Sequence, residues 1–110
     1  MLETGFEVIE GSNPNGSPRI RGYNIINGQL TEAKDGGTFE SHNPAWLDDC
    51  LGEFPLSGKD DVHAALHAAR DAFSGWAATP APTRGQIIGN MGRLLMEYKD
   101  DIVRVETREI

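Results

Sequence analysis

The chain has 110 residues, of which 38% are hydrophobic and 25% are charged, a balance typical of a globular protein. Its 17 acidic and 10 basic residues give a net charge of −7, and no basic patch is visible, which argues against a nucleic-acid partner. No apolar run approaches the ~20 residues that a membrane helix needs, which argues against a membrane protein. The single cysteine excludes an internal disulfide and favours a reducing, cytoplasmic setting.

The composition divides the chain into three segments. Residues 1–21 contain a run of Gly, Asn, Ser and Pro with little apolar content, and we expect a flexible amino-terminal tail there. Residues 22–56 are predicted to be a strand and hairpin lead-in, because Asn27-Gly28 is a strong signal for a two-residue hairpin turn. Further short strands are predicted at 38–42 and 50–56, the first of them ended by Asn43-Pro44.

Residues 57–110 are predicted to be helical. Ser57 and Asp60 have the spacing of a capping box, and Pro80 and Pro82 separate the first helix from the second. Two apolar stripes recur at helical spacing: Val62, Ala65, Leu66, Ala69, Phe73 and Trp76, then Ile87, Ile88, Met91, Leu94, Leu95 and Tyr98. Since the connection is short, we expect the stripes to pack on each other, with a third helix at 99–109.

A search for chemistry-bearing residues yields no active site. His63 and His67 are four residues apart on a helix, but Ala64 stands where the metalloprotease motif needs glutamate, so a solvated helix face is predicted. Cys50 lies in an apolar strand pattern and is predicted to be a small buried side chain rather than a nucleophile. The acidic pair at 48–49 has no partnering base and is predicted to lie in a solvated turn.

The order and spacing of several short motifs resemble the amino-terminal segment of the aldehyde dehydrogenase superfamily. The resemblance runs from about Tyr23 to Ile110. Its motifs are Tyr23-Asn24-Ile25-Ile26-Asn27-Gly28, Gly37-Thr38-Phe39-Glu40, Asn43-Pro44-Ala45, Gly52-Glu53-Phe54-Pro55, Asp61-Val62, Ala68-Ala69-Arg70, Thr79-Pro80-Ala81-Pro82 and Glu106-Thr107-Arg108-Glu109.

The resemblance implies that the chain is an α+β fragment, amino-terminal hairpin strands followed by two to three amphipathic helices, of an α/β aldehyde dehydrogenase fold. It implies that residues 57–110 begin the NAD(P)-binding domain and end before the cofactor-binding strands and the catalytic residues. The full-length protein would oxidise an aldehyde, a semialdehyde among the candidates, to a carboxylic acid through a cysteine thiohemiacetal. It would use NAD or NADP as the nicotinamide cofactor and assemble as a homodimer or homotetramer.

Some family members hold a structural monovalent cation, K⁺ or Na⁺. Carried over by position, its ligands would be the backbone carbonyls of Ser41 and His42 and the carboxylate of Glu109. Such hard oxygen donors suit a hard cation.

Two other hypotheses stay open at the level of sequence. One is a free-standing truncated interaction module that pairs through its hairpin strands and amphipathic helices, whose apolar stripes need cover. The other is a small α+β domain unrelated to the family.

Overall fold

The computed structural model describes the backbone of residues 6–9 and all of residues 13–110. Within them, strands precede helices: β1 Phe6–Ile9, β2 Arg19–Gly22, β3 Asn24–Ile26, β4 Gln29–Thr31, β5 Thr38–Asn43, β6 Trp46–Pro55, α1 Lys59–Ala78, α2 Ala81–Glu97 and α3 Lys99–Glu109. This is the α+β order that the sequence predicts.

Strand β6 organises the larger sheet, whose order is β1-β2-β6-β5. It pairs parallel to β2 and antiparallel to β5, while β1 pairs antiparallel to β2. The buried apolar side chains of the described residues are few, and two of the three, Cys50 and Leu51, lie in β6; the third is Ala33. The core of this chain is therefore thin and centred on one strand.

The amino-terminal segment differs from the tail that we expect at residues 1–21. Its residues 6–9 and 19–22 are strands, and the Asn13 side chain is buried. The Asn13 amide donates to the Cys50 carbonyl at 2.8 Å, and its oxygen accepts the Cys50 N–H at 2.9 Å. One side chain thus bonds the backbone of β6 as a neighbouring strand would. Residues 1–5 and 10–12 of the expected tail lie outside the described residues.

Strands β3 and β4 form the hairpin predicted from Asn27-Gly28. Both turn residues have positive φ, 53° at Asn27 and 71° at Gly28, as a type I′ turn requires. The register pairs Asn24 with Thr31 and Ile26 with Gln29. This prediction is confirmed.

The first helix begins one residue later than the sequence indicates. Its N-cap is Gly58, and Asp61 rather than Asp60 accepts the Gly58 N–H, at 2.9 Å. The buried Asp61 carboxylate also accepts the N–H of Lys34 at 3.0 Å, which ties α1 to the loop after β4. The Ser57 hydroxyl instead accepts a hydrogen bond from Asn24. The predicted capping box at Ser57 and Asp60 is therefore wrong, because a tertiary contact selects Asp61.

The prediction that the stripes of α1 and α2 pack on each other is also wrong. Phe73 is 71% exposed and Trp76 41% exposed, and the apolar residues of α2 are exposed as well. The two helices are joined by Thr79 and Pro80, and this connection does not bring α1 and α2 into extensive contact. The radius of gyration is 16.8 Å, whereas a compact chain of this length has about 13 Å. Helices α1 and α2 therefore extend away from the larger sheet, and their apolar faces are uncovered in this chain.

Helix α3 returns to the sheet. It contacts β5 and β6, whereas α1 contacts β3 and α2 contacts α3. None of the helices in the described ranges is both long and apolar enough to span a bilayer.

Candidate functional site

A buried polar cluster lies where α3 meets the sheet; we call its four residues Asp49, Arg108, Ser17 and Asn43 the Asp49 junction. Arg108 Nη2 donates to Asp49 Oδ1 at 2.8 Å and its Nε donates to Oδ2 at 3.2 Å. The Ser17 hydroxyl donates to Oδ1 at 2.6 Å, and the Asn43 amide donates to Oδ2 at 3.2 Å. Asp49 is 2% exposed and Arg108 17% exposed. Four donors thus saturate one buried carboxylate.

The hydrogen bonds of the junction, those from Arg108 first, hold the pKa of Asp49 well below its usual range although burial acts in the opposite direction. Two further Arg108 N–H groups donate to the Pro18 carbonyl at 3.0 Å and the Cys50 carbonyl at 3.2 Å. A carboxylate held ionised in this way is a poor general acid or base. The junction is therefore a structural link between α3, the turn before β2, and β6.

A second cluster joins Glu40 and His42 of β5 to Cys50 of β6. His42 and Cys50 are paired in the strand register, and Glu40 is two residues along the same strand. One ligand atom from each of the three side chains lies within 4.8 Å of the other two. His42 Nδ1 lies 2.9 Å from the Leu47 carbonyl oxygen, and Nε2 lies 3.2 Å from Glu40 Oε2. Cys50 is 5% exposed, so its predicted burial is confirmed.

The second carboxylate oxygen of Glu40 is paired with Arg19. Arg19 Nη2 lies 2.8 Å from Glu40 Oε1, in an ion pair at the surface. The hydrogen bond from His42, and then the one from Arg19, lower the pKa of Glu40. The cluster therefore presents an ionised carboxylate to the imidazole of His42 and to the thiol of Cys50.

The residues predicted to bind a monovalent cation lie on two elements that contact each other. Ser41 and His42 are in β5, where register shifts interrupt the ladder with β6 on both sides of His42, and Glu109 ends α3. A β-bulge leaves backbone groups unpaired, which fits the donation of carbonyl oxygens to a cation. Within residues 13–110, no hydrogen bond or ion pair joins Glu109 to Ser41 or His42. The cation site stays a prediction.

The two histidines of α1 lie apart from both clusters. His63 and His67 are exposed on the helix, as predicted for a solvated face. Neither belongs to a group of three potential metal ligands among the described residues.

Comparison with known proteins identifies the family. The profile of the Aldehyde dehydrogenase family matches residues 30–110, nearly three quarters of the chain. The chain belongs to the aldehyde dehydrogenase family. The resemblance found in the sequence motifs is thereby confirmed, and the hypothesis of an unrelated α+β domain is wrong.

Relatives with assigned functions include several semialdehyde dehydrogenases. The succinate-semialdehyde dehydrogenase [NADP(+)] of Escherichia coli is 38% identical over 95 residues, which cover 86% of this chain and 20% of that protein. The malonate-semialdehyde dehydrogenase of Bacillus pumilus is 38% identical, and the alpha-ketoglutarate semialdehyde dehydrogenase of Haloferax volcanii is 35% identical, each over 86 residues, 78% of this chain and 18% of the relative. The chain thus spans about a fifth of the length of these aldehyde dehydrogenase relatives.

The Asp49 junction is the site that reasoning from sequence misses. The acidic pair at 48–49 is predicted to be solvated and without a partner, but Asp49 is buried against Arg108. The two residues are 59 positions apart in the sequence, so no local spacing of residues predicts that they form a pair. The only signal in the sequence is an arginine in the final turn of a predicted helix, which is not specific.

Proposed function

We propose that this chain is the amino-terminal, non-catalytic part of an NAD- or NADP-dependent aldehyde dehydrogenase that oxidises a semialdehyde. The observation that carries the proposal is the family match over residues 30–110 together with relatives that are named as semialdehyde dehydrogenases. The proposed reaction oxidises an aldehyde to a carboxylic acid through a cysteine thiohemiacetal. The nicotinamide, when bound, would accept the hydride from the thiohemiacetal, and water would then hydrolyse the resulting thioester to release the acid and the cysteine thiol.

In this proposal the 110 residues serve as scaffold. The exposed apolar faces of α1 and α2 are covered by the remainder of the full-length protein, as helices of this length require a partner for their apolar side. The exposed apolar residues that the remainder of the protein would bury include Val62, Leu66, Phe73, Ile88, Met91 and Leu95. The same uncovered faces would suit an interaction module, but relatives that are dehydrogenases support the enzyme instead.

The proposal extends to a structural cation and to assembly. A K⁺ or Na⁺ ion bound by the carbonyls of Ser41 and His42 and by Glu109 would tie the end of α3 to β5. The bulged register of β5 supports it. A homodimer or homotetramer is the assembly proposed for the full-length protein.

Reduction of the nicotinamide, followed by absorbance, tests the activity of the full-length protein. Succinate semialdehyde and malonate semialdehyde are compared with butanal, which lacks the distal carboxylate, in the presence of NAD or NADP. We expect kcat/KM for one semialdehyde to exceed that for butanal by at least ~10-fold, since a site that binds a charged group rejects the analogue without it. Absence of nicotinamide reduction with every aldehyde would contradict the proposal.

Calorimetric titration of the 110-residue chain with NAD and NADP tests its non-catalytic role. The described residues contain no unit of strand, glycine-rich loop and helix that could hold the pyrophosphate, so we expect no saturable heat. The full-length protein serves as the positive control. Saturable binding by the 110-residue chain at micromolar cofactor would overturn the assignment.

A further inference from the structure

We propose that Glu40, His42 and Cys50 bind one transition-metal ion of the zinc class, through a carboxylate oxygen, an imidazole nitrogen and a thiolate. The three ligand atoms lie within 4.8 Å of one another on two paired strands. Three protein ligands leave a fourth tetrahedral position for water. The site uses the imidazole of His42 and not its carbonyl, so it is separate from the monovalent cation site proposed above.

The hydrogen bonds of His42 point to a cation. The Leu47 carbonyl oxygen can only accept, so the proton of the neutral ring lies on Nδ1, 2.9 Å away. Nε2 is then an acceptor, yet it faces Glu40 Oε2, another acceptor, at 3.2 Å. A proton on Nε2, which makes His42 a cation that donates to Glu40, or a metal ion in the place of that proton satisfies both contacts. A carbonyl on the far ring nitrogen is the usual partner of a metal-bound histidine.

The spacing requires only a small adjustment. Ligand atoms around a tetrahedral zinc ion are roughly 3.3–3.6 Å apart. The distance from Nε2 to Oε2, 3.2 Å, is already close to this range. The Cys50 Sγ, within 4.8 Å of the other two ligand atoms, has to move inward by up to about 1.2 Å, through rotation about χ1. That rotation gives up one weak contact, with the Gly52 carbonyl at 3.8 Å.

The charges and donor types select the metal. The thiol proton of Cys50 leaves to solvent when the metal binds, so the thiolate and the Glu40 carboxylate together neutralise a divalent ion. A thiolate and an imidazole favour Zn²⁺ or Co²⁺ over Mg²⁺ or Ca²⁺. Arg19 bonds Glu40 Oε1 and leaves Oε2 directed at His42, and it thereby orients the carboxylate from outside the ligand set.

Cobalt(II) alone, added to the reduced, metal-free full-length protein, is the probe. We expect one equivalent to produce a thiolate-to-cobalt charge-transfer absorption with the strong visible bands of a four-coordinate ion. Zn²⁺ should abolish this absorption, because it binds such sites more tightly than Co²⁺. The readout does not depend on catalysis, so it is independent of the outcome of the activity assay.

Variants assign the signal to the site. We expect Cys50→Ser to remove the charge-transfer band, and His42→Gln and Glu40→Gln each to weaken cobalt binding by at least ~10-fold. His63→Gln, which removes an exposed imidazole from α1, is the matched control and should leave the titration unchanged. Glu40 is exposed, so Glu40→Gln keeps the fold and decides the question even if the buried Cys50→Ser does not fold. A folded wild-type protein without the band, or a band that persists unchanged in Cys50→Ser or Glu40→Gln, would overturn the proposal.

Discussion

Arg108 in the last turn of α3 donates two hydrogen bonds to the carboxylate of Asp49 in β6, with N···O distances of 2.8 and 3.2 Å. This is the bidentate arrangement in which a guanidinium matches a carboxylate. Asp49 is almost completely buried, so the negative charge has no access to water as an alternative partner. The pair therefore fixes the end of α3 to the central strand of the sheet.

Arg108→Ala should lower the free energy of unfolding of the full-length protein by about 3–5 kcal/mol, because it leaves a buried carboxylate without its cation. Arg104→Ala is the control, since Arg104 pairs with Asp101 on the exposed side of the same helix. That change should cost less than about 1 kcal/mol. Urea denaturation of both variants measures the difference, and equal midpoints would show that the Asp49 junction does not stabilise the fold.

The Asp49 junction also predicts a pH dependence of stability. The pKa of Asp49 is lower in the folded protein than in the unfolded chain, so its ionisation stabilises the fold above the unfolded value, about pH 4. That contribution is lost as the pH falls further towards the folded pKa. We expect the difference in unfolding free energy between wild type and Asp49→Asn to be constant near neutrality and to shrink below about pH 4. A difference that does not change down to pH 2 would contradict the assignment.

Asn13→Ala should destabilise the protein by about 1–3 kcal/mol, because the buried backbone N–H of Cys50 loses its partner and the Cys50 carbonyl keeps only the hydrogen bond from Arg108. Asn90→Ala, on the exposed face of α2, is the control for loss of an amide. It should change stability by less than about 0.5 kcal/mol. Thermal unfolding of the two variants provides the comparison, and a shift in the control as large as that in Asn13→Ala would refute the structural role of Asn13.

Local signals account for what the sequence predicts correctly. Asn27-Gly28 specifies its hairpin because both residues tolerate positive φ, and the apolar stripes locate α1 and α2. The features that the sequence does not predict depend on contacts between residues that are far apart in the chain. Asp61 replaces Asp60 as the capping residue because it bonds Lys34, and Asp49 is buried because Arg108 comes to it from another element. The prediction that α1 packs on α2 is wrong because an apolar stripe shows only that a helix face needs a packing partner. It does not show which part of the protein that partner is.

Strands β2 and β6 approach each other closely at Gly52. Gly52 pairs with Ile20 in this parallel pair, and a Cβ on Gly52 would overlap the Ile20 carbonyl oxygen and lie 2.8 Å from Ile20 Cγ1. Backbone atoms of the central strands cannot move apart without breaking the ladder, so Gly52→Ala should cost about 1–3 kcal/mol or more. Gly75→Ala in α1 is the opposite case, since a Cβ there meets no atom within 4 Å. It should stabilise the protein by about 0.5–1 kcal/mol, the gain of alanine over glycine inside a helix. Urea denaturation should therefore move the two midpoints in opposite directions, and a Gly52→Ala midpoint at or above that of the wild type would show that the strands can separate to admit a methyl group.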